Sequence, residues 1–389
     1  MSALERSGVG AGPGQLSQPT LPSFRQHAIY QGEPSERVLC VVGDINGDGV
    51  PEIVIGARAP LAELYWLGRG TSGEWTCHLM DSGFETLEAG GALYDVNGNG
   101  RLDLVAGHDA RGNKLFWWEN PPDPAQPWPR HEIATMPAQK THDQMIAHLL
   151  PDARAELYYW NQRAETLFCA PLPDDPTQAP WPGIHPIVTG VAEEGLCAAD
   201  MDGDGRLELV AGQSWYKPLG GKRWARHVFA EGWVTPKSVA ADFDGDGRPE
   251  IVLAEGDASL NRRPYGRVGL FKAGDDPEAM WHLTMLHERL LDPHSLAVAD
   301  FDGDGQPDLF VGEMGMPDGN HPHPPAQRIY VNRGGELIER VIATGLGTHE
   351  SKAILLDGRV GIVAKPFRVL RSSVPRTPDV DTIYLWLPE

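Results

Sequence analysis

Five segments of this 389-residue chain carry carboxylate and amide side chains at a spacing that suits a hard cation. Each follows the pattern Asp-x-Asp/Asn-Gly-Asp/Asn-Gly-x-x-Glu/Asp, so side-chain oxygens come from loop positions 1, 3, 5 and 9. A backbone carbonyl near position 7 can add a ligand, and the glycines at positions 4 and 6 permit the sharp turn. The predicted structural calcium ligands are Asp44, Asn46, Asp48, Glu52, Asp95, Asn97, Asn99, Asp103, Asp200, Asp202, Asp204, Glu208, Asp242, Asp244, Asp246, Glu250, Asp300, Asp302, Asp304 and Asp308.

The stretches around these loops predict the elements that position them. A small or apolar stretch such as SLAVAD precedes each loop, and a β-branched or leucine-rich stretch such as PDLFVG follows it. This order is typical of a buried strand, a tight loop and a second buried strand. Two degenerate frames, HDQMIAHLLPDARAELYYW and HESKAILLDGRVGIVAKPF, extend the series to seven. The frames begin roughly 40 to 60 residues apart, which is the period of a four-stranded propeller blade.

The predicted fold is therefore all-β: a single seven-bladed β-propeller over residues 24–389, with calcium-binding loops in about five blades. Residues 1–23 are polar and rich in Gly, Pro and Ser, and we expect them to form a flexible leader. The loops resemble those of FG-GAP or VCBS repeats, as in the integrin alpha head and many bacterial propellers. The resemblance covers nearly all of residues 24–389 and implies calcium ions that stabilise the blades.

Functional residues are expected on the face opposite the loops. Because each loop joins the first strand of a blade to the second, the start of the first strand and the end of the second must meet on the other face. Polar residues that differ from blade to blade fall at these positions, which is typical of a site built on a repeated scaffold. Those at the starts of the first strands include His142, Glu194, Lys237, His294 and His349, and those at the ends of the second strands include Arg58, His108, Arg163 and Glu313.

These residue types suit two kinds of chemistry. His142, His294 and His349, together with Glu194, form a candidate axial site for Zn²⁺ or another divalent transition metal. The metal-free alternative uses a histidine or Lys237 to remove a proton. In that case Arg58 or Arg163 neutralises a substrate carboxylate.

A second resemblance narrows the reaction. The segment LFWWENPPDPAQPWPRHEI, followed by THDQMIAHL, resembles the propeller domains of aldos-2-ulose dehydratases, although the cupin part of those enzymes is absent here. The resemblance implies a carbon–oxygen lyase that dehydrates a keto sugar, such as an aldos-2-ulose or anhydrofructose, by metal-assisted β-elimination. In this hypothesis Lys237 or Glu194 takes the proton and His108 or Glu313 is the acid. The alternatives are a polysaccharide lyase acting on a uronate-containing glycan, and a non-catalytic, calcium-dependent binding propeller.

Composition limits the partners. The formal net charge of -21 argues against nucleic acid, because phosphate binding requires Lys and Arg in excess. No run of 18 apolar residues indicates a membrane span, and a small sugar or oligosaccharide is the expected partner. The sequence as written has no signal peptide and predicts a cytoplasmic protein, or a secreted or periplasmic one if a signal was removed. It does not predict the oligomeric state.

Overall fold

The computed structural model describes residues 21–32, 36–58, 62–150, 154–315, 322–367 and 381–389. Seven antiparallel sheets of four strands each make up almost all the regular structure in these ranges, which confirms the predicted seven-bladed propeller. The described ranges contain one 3-10 turn, Gln162–Ala164, and no helix long and apolar enough to span a membrane.

The strands are numbered along the chain, and β1 (Phe24–Gln31) precedes the first blade. Blade 1 consists of β2 (Glu36–Gly43), β3 (Glu52–Arg58), β4 (Leu64–Arg69) and β5 (Trp75–Asp81). Blade 2 consists of β6 (Ala92–Tyr94), β7 (Asp103–Gly107), β8 (Lys114–Trp118) and β9 (Arg130–Thr135). Blade 3 consists of β10 (Thr141–Ala147), β11 (Glu156–Asn161), β12 (Thr166–Pro171) and β13 (His185–Thr189). Blades 4 and 5 consist of β14 (Leu196–Ala199), β15 (Glu208–Ala211), β16 (Ser214–Gly220), β17 (Arg223–Val228); and β18 (Pro236–Ala241), β19 (Glu250–Glu255), β20 (Gly266–Lys272), β21 (His282–Leu290). Blade 6 consists of β22 (Pro293–Ala299), β23 (Asp308–Glu313), β24 (Ala326–Arg333) and β25 (Glu336–Thr344), and blade 7 contains β26 (Lys352–Leu356), β27 (Arg359–Ala364) and β28 (Thr382–Pro388).

The seventh blade is completed by the start of the chain. β1 pairs antiparallel with β28, so the sheet order is β1-β28-β27-β26. The register runs from Phe24 opposite Pro388 to Gln31 opposite Thr382. The two ends of the propeller are thus joined by backbone hydrogen bonds within one blade, which closes the ring.

The acidic loops and the polar strand ends lie on opposite faces, as the sequence predicts. Each acidic loop connects the first strand of its blade to the second. The other ends of these two strands pair, as in Glu36 with Arg58 and Pro293 with Glu313. The first strands contact one another around the ring from β2 to β26 and back to β2, so their starting residues surround the axis.

Hydrophobic cores lie between neighbouring blades. Seven clusters of buried side chains are found in the described ranges, one at each junction. For example, Trp66 of blade 1 packs with Trp118 and Trp128 of blade 2. Because each blade buries one face against each neighbour, the ring positions the axial residues as a unit.

Glycine permits close approach of the strand starts near the axis. Gly90 has φ 108°, and a Cβ there would lie 2.6 Å from the Cα of Asp143 in the next blade. A side chain at this position would collide with the backbone of blade 3.

Tryptophan, histidine and proline form a recurrent structural unit in the outer strands. His78, His131 and His227 each stack on a tryptophan of the neighbouring third strand, with ring centroids 4.1 to 4.4 Å apart. The proline-rich segments connect the third and fourth strands within a blade, and their carbonyls accept tryptophan N–H groups from two blades. Pro176, for example, accepts from Trp117 at 3.1 Å and from Trp181 at 2.9 Å.

Candidate active site

A cavity of about 190 Å³ lies at the axial mouth, on the face opposite the acidic loops. Starts of first strands and ends of second strands from several blades form its wall. The lining residues are Arg58, Glu88, Ala89, Asp109, Ala110, Lys140, His142, Asp257, Leu260, His294, Met314, His349 and Phe367. The structure therefore brings the three predicted axial histidines to one cavity. A volume this far below that of a drug-sized pocket suits a single small molecule.

Lys237 lies behind this wall at the centre of three carboxylates. Its Nζ lies 2.9 Å from Glu350 Oε1, 3.2 Å from Asp143 Oδ1 and 3.4 Å from Glu194 Oε2. Burial opposes the charge, but Asp143, Glu350 and Glu194 outweigh it and raise the pKa of Lys237 well above its usual value. An ammonium held in this way is a fixed positive charge, so the geometry does not favour the predicted role of Lys237 as a base.

His142 is held between two of the same carboxylates. Its Nδ1 lies 3.1 Å from Asp143 Oδ2, and its Nε2 lies 3.4 Å from Glu194 Oε1. Burial favours the neutral ring, but Glu194 and Asp143 outweigh it and raise the pKa of His142. Glu194 is fully buried, and although burial works against its charge, His142 and Lys237 lower its pKa. These opposite shifts indicate an imidazolium facing an ionised carboxylate.

His294 and His349 stack on each other, and Phe367 extends the stack. The ring centroids are 4.2 Å apart for His294 and His349, and 4.6 Å apart for His349 and Phe367. Burial, with His294 and Lys365 adding to its effect, lowers the pKa of His349 well below its usual value. The His349 ring is therefore neutral, and it presents one acidic N–H and one basic nitrogen.

Lys365 positions His349 from behind. Its fully buried Nζ lies 3.2 Å from His349 Nδ1 and donates to the carbonyls of Arg37 at 2.9 Å and Val38 at 3.1 Å. Burial lowers the pKa of Lys365 to about 7. Blade 1 thus fixes a side chain of blade 7 that in turn fixes an imidazole of the cavity wall.

Two sets of side chains near the axis can hold a metal ion. In each set, donor atoms lie within 4.8 Å of one another: His142, Asp143 and Glu194 in the first, and Glu194, Asp257 and His294 in the second. The second set opens onto the cavity through Asp257 and His294. His294 Nε2 lies 3.7 Å from Asp257 Oδ1 and 4.0 Å from Glu194 Oε2. One imidazole and two carboxylates suit a divalent cation such as Zn²⁺ or Mn²⁺.

His349 belongs to neither donor set among the described residues. The predicted ligand trio of His142, His294 and His349 remains a prediction. Stacked rings direct their lone pairs along nearly parallel planes, so His294 and His349 are poorly arranged to bind one ion together.

The other predicted catalytic residues divide into two groups. Arg58 lies in the cavity wall, pairs with Glu88 and lies 3.5 Å from Asp109. Three others do not line the cavity. Arg163 is exposed on the 3-10 turn, His108 is buried and packs on Phe116, and Glu313 accepts backbone N–H groups from Leu291 and Ala326 and pairs with Arg328.

Sequence reasoning missed the carboxylates Asp143, Glu350 and Asp257, the cation Lys140 and the aromatic ring of Phe367, which complete the site. A signal for two of these was present. Thr-His-Asp at 141–143 and Thr-His-Glu at 348–350 place an acid directly after an axial histidine. Asp143 and Glu350 have φ values of 44° and 53°, and this left-handed turn brings the acid and the histidine to the axis together.

The acidic loops on the opposite face keep their predicted arrangement. In blades 4, 5 and 6 three carboxylates per loop lie with donor atoms within 4.8 Å of one another, a spacing that matches a metal site. The position-1 carboxylate accepts loop N–H groups: Asp200, for example, accepts from Gly203 at 2.8 Å and from Gly205 at 2.9 Å. Calcium itself remains a prediction at all five loops.

Comparisons with known proteins agree with the fold. Residues 242–311 match the FG-GAP-like repeat family and residues 293–331 match the FG-GAP repeat family. No curated protein sequence matches this chain. The crystal structure of BBS1N in complex with ARL6DN, soaked with lead, is similar with a TM-score of 0.56 and 12% identity, over 95% of this chain and 97% of that chain.

A second solved structure is more distant. The exotype rhamnogalacturonan lyase YesX has a TM-score of 0.46 and 13% identity, over 95% of this chain and 75% of that chain, and a likeness at this level supports no inference about activity. The chain is a seven-bladed β-propeller, and residues 242–331 match FG-GAP repeats.

Proposed function

We propose that this protein is a carbon–oxygen lyase that eliminates water from a small, neutral keto sugar in the axial cavity. The observation that supports this most strongly is the meeting of His142, His294 and His349 at one cavity of about 190 Å³. They come from blades 3, 6 and 7, and the repeat requires a histidine at none of these positions. Imidazoles gathered in this way supply the acid and the base that an elimination requires.

The charges near the cavity favour a neutral substrate. The carboxylates in the wall and directly behind it are Glu88, Asp109, Asp143, Glu194, Asp257 and Glu350. The cations are Arg58, Lys140, Lys237, Lys352, the His142 imidazolium and Lys365, whose pKa is about 7, so the two signs nearly balance. Arg58 and Lys237 are already paired, so the cavity has no excess positive charge to attract a polymer of uronates, and the polysaccharide-lyase alternative loses support.

The residues divide the proton transfers between them. His349 is the neutral imidazole that takes the proton next to the substrate carbonyl. His142 is the imidazolium that protonates the departing hydroxyl. The surroundings raise the pKa of His142 and lower that of His349. Two titratable groups whose pKa values are shifted in opposite directions commonly act as the acid and the base of one reaction. Glu194 and Asp143 hold His142 in place and stabilise its charge, and Lys237 pairs with the same two carboxylates.

The donor set fits a bound cation. Glu194, Asp257 and His294 would hold a divalent metal at the cavity wall, and such an ion would supply polarisation of the substrate carbonyl. The cations of Lys140 and Arg58 lie in the same wall and would steady an enolate oxygen.

The test is a panel of neutral keto sugars and matched uronates, with formation of the unsaturated ketone followed by ultraviolet absorbance and mass spectrometry. We expect turnover of at least one keto sugar. His142→Gln and His349→Gln should each lower it by about 10²- to 10⁴-fold. The control is His78→Gln, because His78 stacks on Trp66 in the outer strands, away from the axis.

Each variant is accepted only if its circular dichroism matches that of the parent. Equal activity in the parent and both axial variants would refute the assignment. Binding of a sugar without any turnover would favour the binding-propeller alternative.

A further inference from the structure

Three acidic loops contain a side-chain cation from their own blade. Lys217 contacts Asp202 and lies 2.8 Å from Asp204. Lys272 contacts Asp244, lies 2.8 Å from Asp246 and 3.2 Å from Glu250.

In blade 6 the guanidinium of Arg333 lies 2.5 Å from Asp302 and 2.9 Å from Asp304. All three cations come from the third strand of the blade, namely β16, β20 and β24. Blades 4, 5 and 6 thus share one arrangement.

These cations use the oxygens that a calcium ion would need. The cations contact the carboxylates at loop positions 3 and 5, and in blade 5 also the carboxylate at position 9. The carboxylate at position 1 is occupied with loop N–H groups, as at Asp242, which accepts from Gly245 at 2.8 Å and Gly247 at 2.9 Å. A calcium ion entering such a loop would have to displace the internal cation.

The strand register explains which loops contain a cation. Pairing of Leu209 with Tyr216 and of Ile251 with Phe271 places Lys217 and Lys272 directly opposite loop position 9. In blade 6 the cation is two residues beyond that position, because Leu309 pairs with Tyr330.

The first two blades differ at the same register. In blade 2 the position opposite Asp103 is Glu119, which accepts a hydrogen bond from Asn97 Nδ2 at 3.0 Å and adds negative charge to the loop. In blade 1 it is Gly68, and the next residue, Arg69, pairs with Asp357 of blade 7 at 2.9 Å.

We infer that Lys217, Lys272 and Arg333 take the place of the calcium ion in blades 4, 5 and 6, and that a cation on the third strand facing the loop decides which loops of the propeller bind calcium. The FG-GAP repeat type implies calcium in every acidic loop, and these three loops do not fit that expectation. Ion pairs near the surface are weak, so we expect removal of one such cation to raise the calcium affinity of its loop by about tenfold.

The experiment compares the parent with the triple variant Lys217→Met, Lys272→Met and Arg333→Met. Calcium content is measured by elemental analysis after gel filtration, and affinity by titration calorimetry. We expect the variant to gain up to three calcium ions per chain and to bind them about tenfold more tightly than the parent binds at these loops. Methionine is close to lysine in length and shorter than arginine, and it removes the charge in all three cases.

Two further variants make the result specific. Lys114→Met removes a third-strand lysine of blade 2 that pairs with Glu132 at 2.8 Å outside any acidic loop, and it should leave calcium binding unchanged. Glu119→Lys should lower the calcium content of the parent by placing a cation opposite the blade 2 loop.

If the triple variant folds only when calcium is present, the inference is supported, because the ion then replaces the lost cations. A single variant at Lys272 with melting curves in calcium and in EDTA provides a milder comparison, and its melting temperature should become calcium-sensitive. A parent that already holds calcium in blades 4 to 6, with no gain in content or affinity in the triple variant, would overturn the inference.

Discussion

Lys237→Met tests whether the axial charge cluster stabilises the propeller. The substitution keeps the length of the side chain but removes a buried ammonium, 8% exposed, that three carboxylates share. Removing one partner from a buried ion pair typically costs about 3 to 5 kcal/mol, because the opposite charge stays buried without compensation. We expect a loss of free energy of unfolding within this range and not above it, because each carboxylate keeps a second partner. Asp143 and Glu194 keep His142, and Glu350 keeps Lys352.

The loss should be measurable in two ways. Urea denaturation at pH 7 followed by tryptophan fluorescence gives the free energy of unfolding. With an unfolding entropy of about 2.1 cal/mol/K per residue, the same loss lowers the melting temperature by roughly 4 to 6 °C for a chain of this size.

The matched control is Lys352→Met. Lys352 pairs with Glu350 at 3.1 Å, but its side chain is 36% exposed, so its removal should cost less than about 1 kcal/mol. If Lys237→Met lost under 1 kcal/mol, or no more than Lys352→Met, the cluster would not stabilise the axis and the reasoning would be refuted.

Three further predictions concern pH, the tryptophan–proline hydrogen bonds and the strand that closes the ring. Burial lowers the pKa of His108, so protonation favours the unfolded chain and the free energy of unfolding should fall as pH drops below about 6.5. In urea denaturation at a series of pH values, His108→Asn should reduce the slope of the free energy of unfolding against pH by up to about 1.4 kcal/mol per pH unit. Trp181→Phe removes a hydrogen-bond donor to the Pro176 carbonyl and should lower the free energy of unfolding in urea by about 1 to 2 kcal/mol. An unchanged denaturation midpoint would show that this hydrogen bond contributes nothing to stability. Deletion of residues 21–32 leaves the edge of β28 unpaired and should cause self-association, visible as a larger species by light scattering; a stable monomer would contradict this.

The repeat made most of the fold predictable. The spacing of Asp, Gly and the apolar stretches predicts the first two strands of five blades, because the loop chemistry and the strand pattern occur together. The two degenerate frames are confirmed as blades 3 and 7. In blade 7 the loop is reduced to Asp357 and Gly358, whose φ values of 52° and 74° form a tight hairpin turn.

The closing strand could not be predicted in the same way. β1 has a mostly exposed pattern and no loop motif, and its partner is at the other end of the chain. Pairing at that distance leaves no local signal in the sequence.

The candidate site was predictable in its position but not in its charges. Counting back from each loop places His142, His294 and His349 at the axis, because first strands have a common register. Which side chains pair there depends on blades that are far apart in sequence, as Lys237 of blade 5 with Glu350 of blade 7. Those contacts raise the pKa of Lys237 and favour a fixed cation over the predicted proton acceptor.

The closed ring has a consequence for how the chain reaches its native state. Ser23 donates to Glu389 at 2.7 Å across a separation of 366 residues, next to the pairing of β1 with β28. Bringing the ends of a loop of that length together costs an entropy equivalent to about 5 kcal/mol. During synthesis β1 is made first, and its partner β28 is made only after almost the entire propeller. The pairing that closes the ring is therefore formed last, and it joins the residues most distant in the sequence.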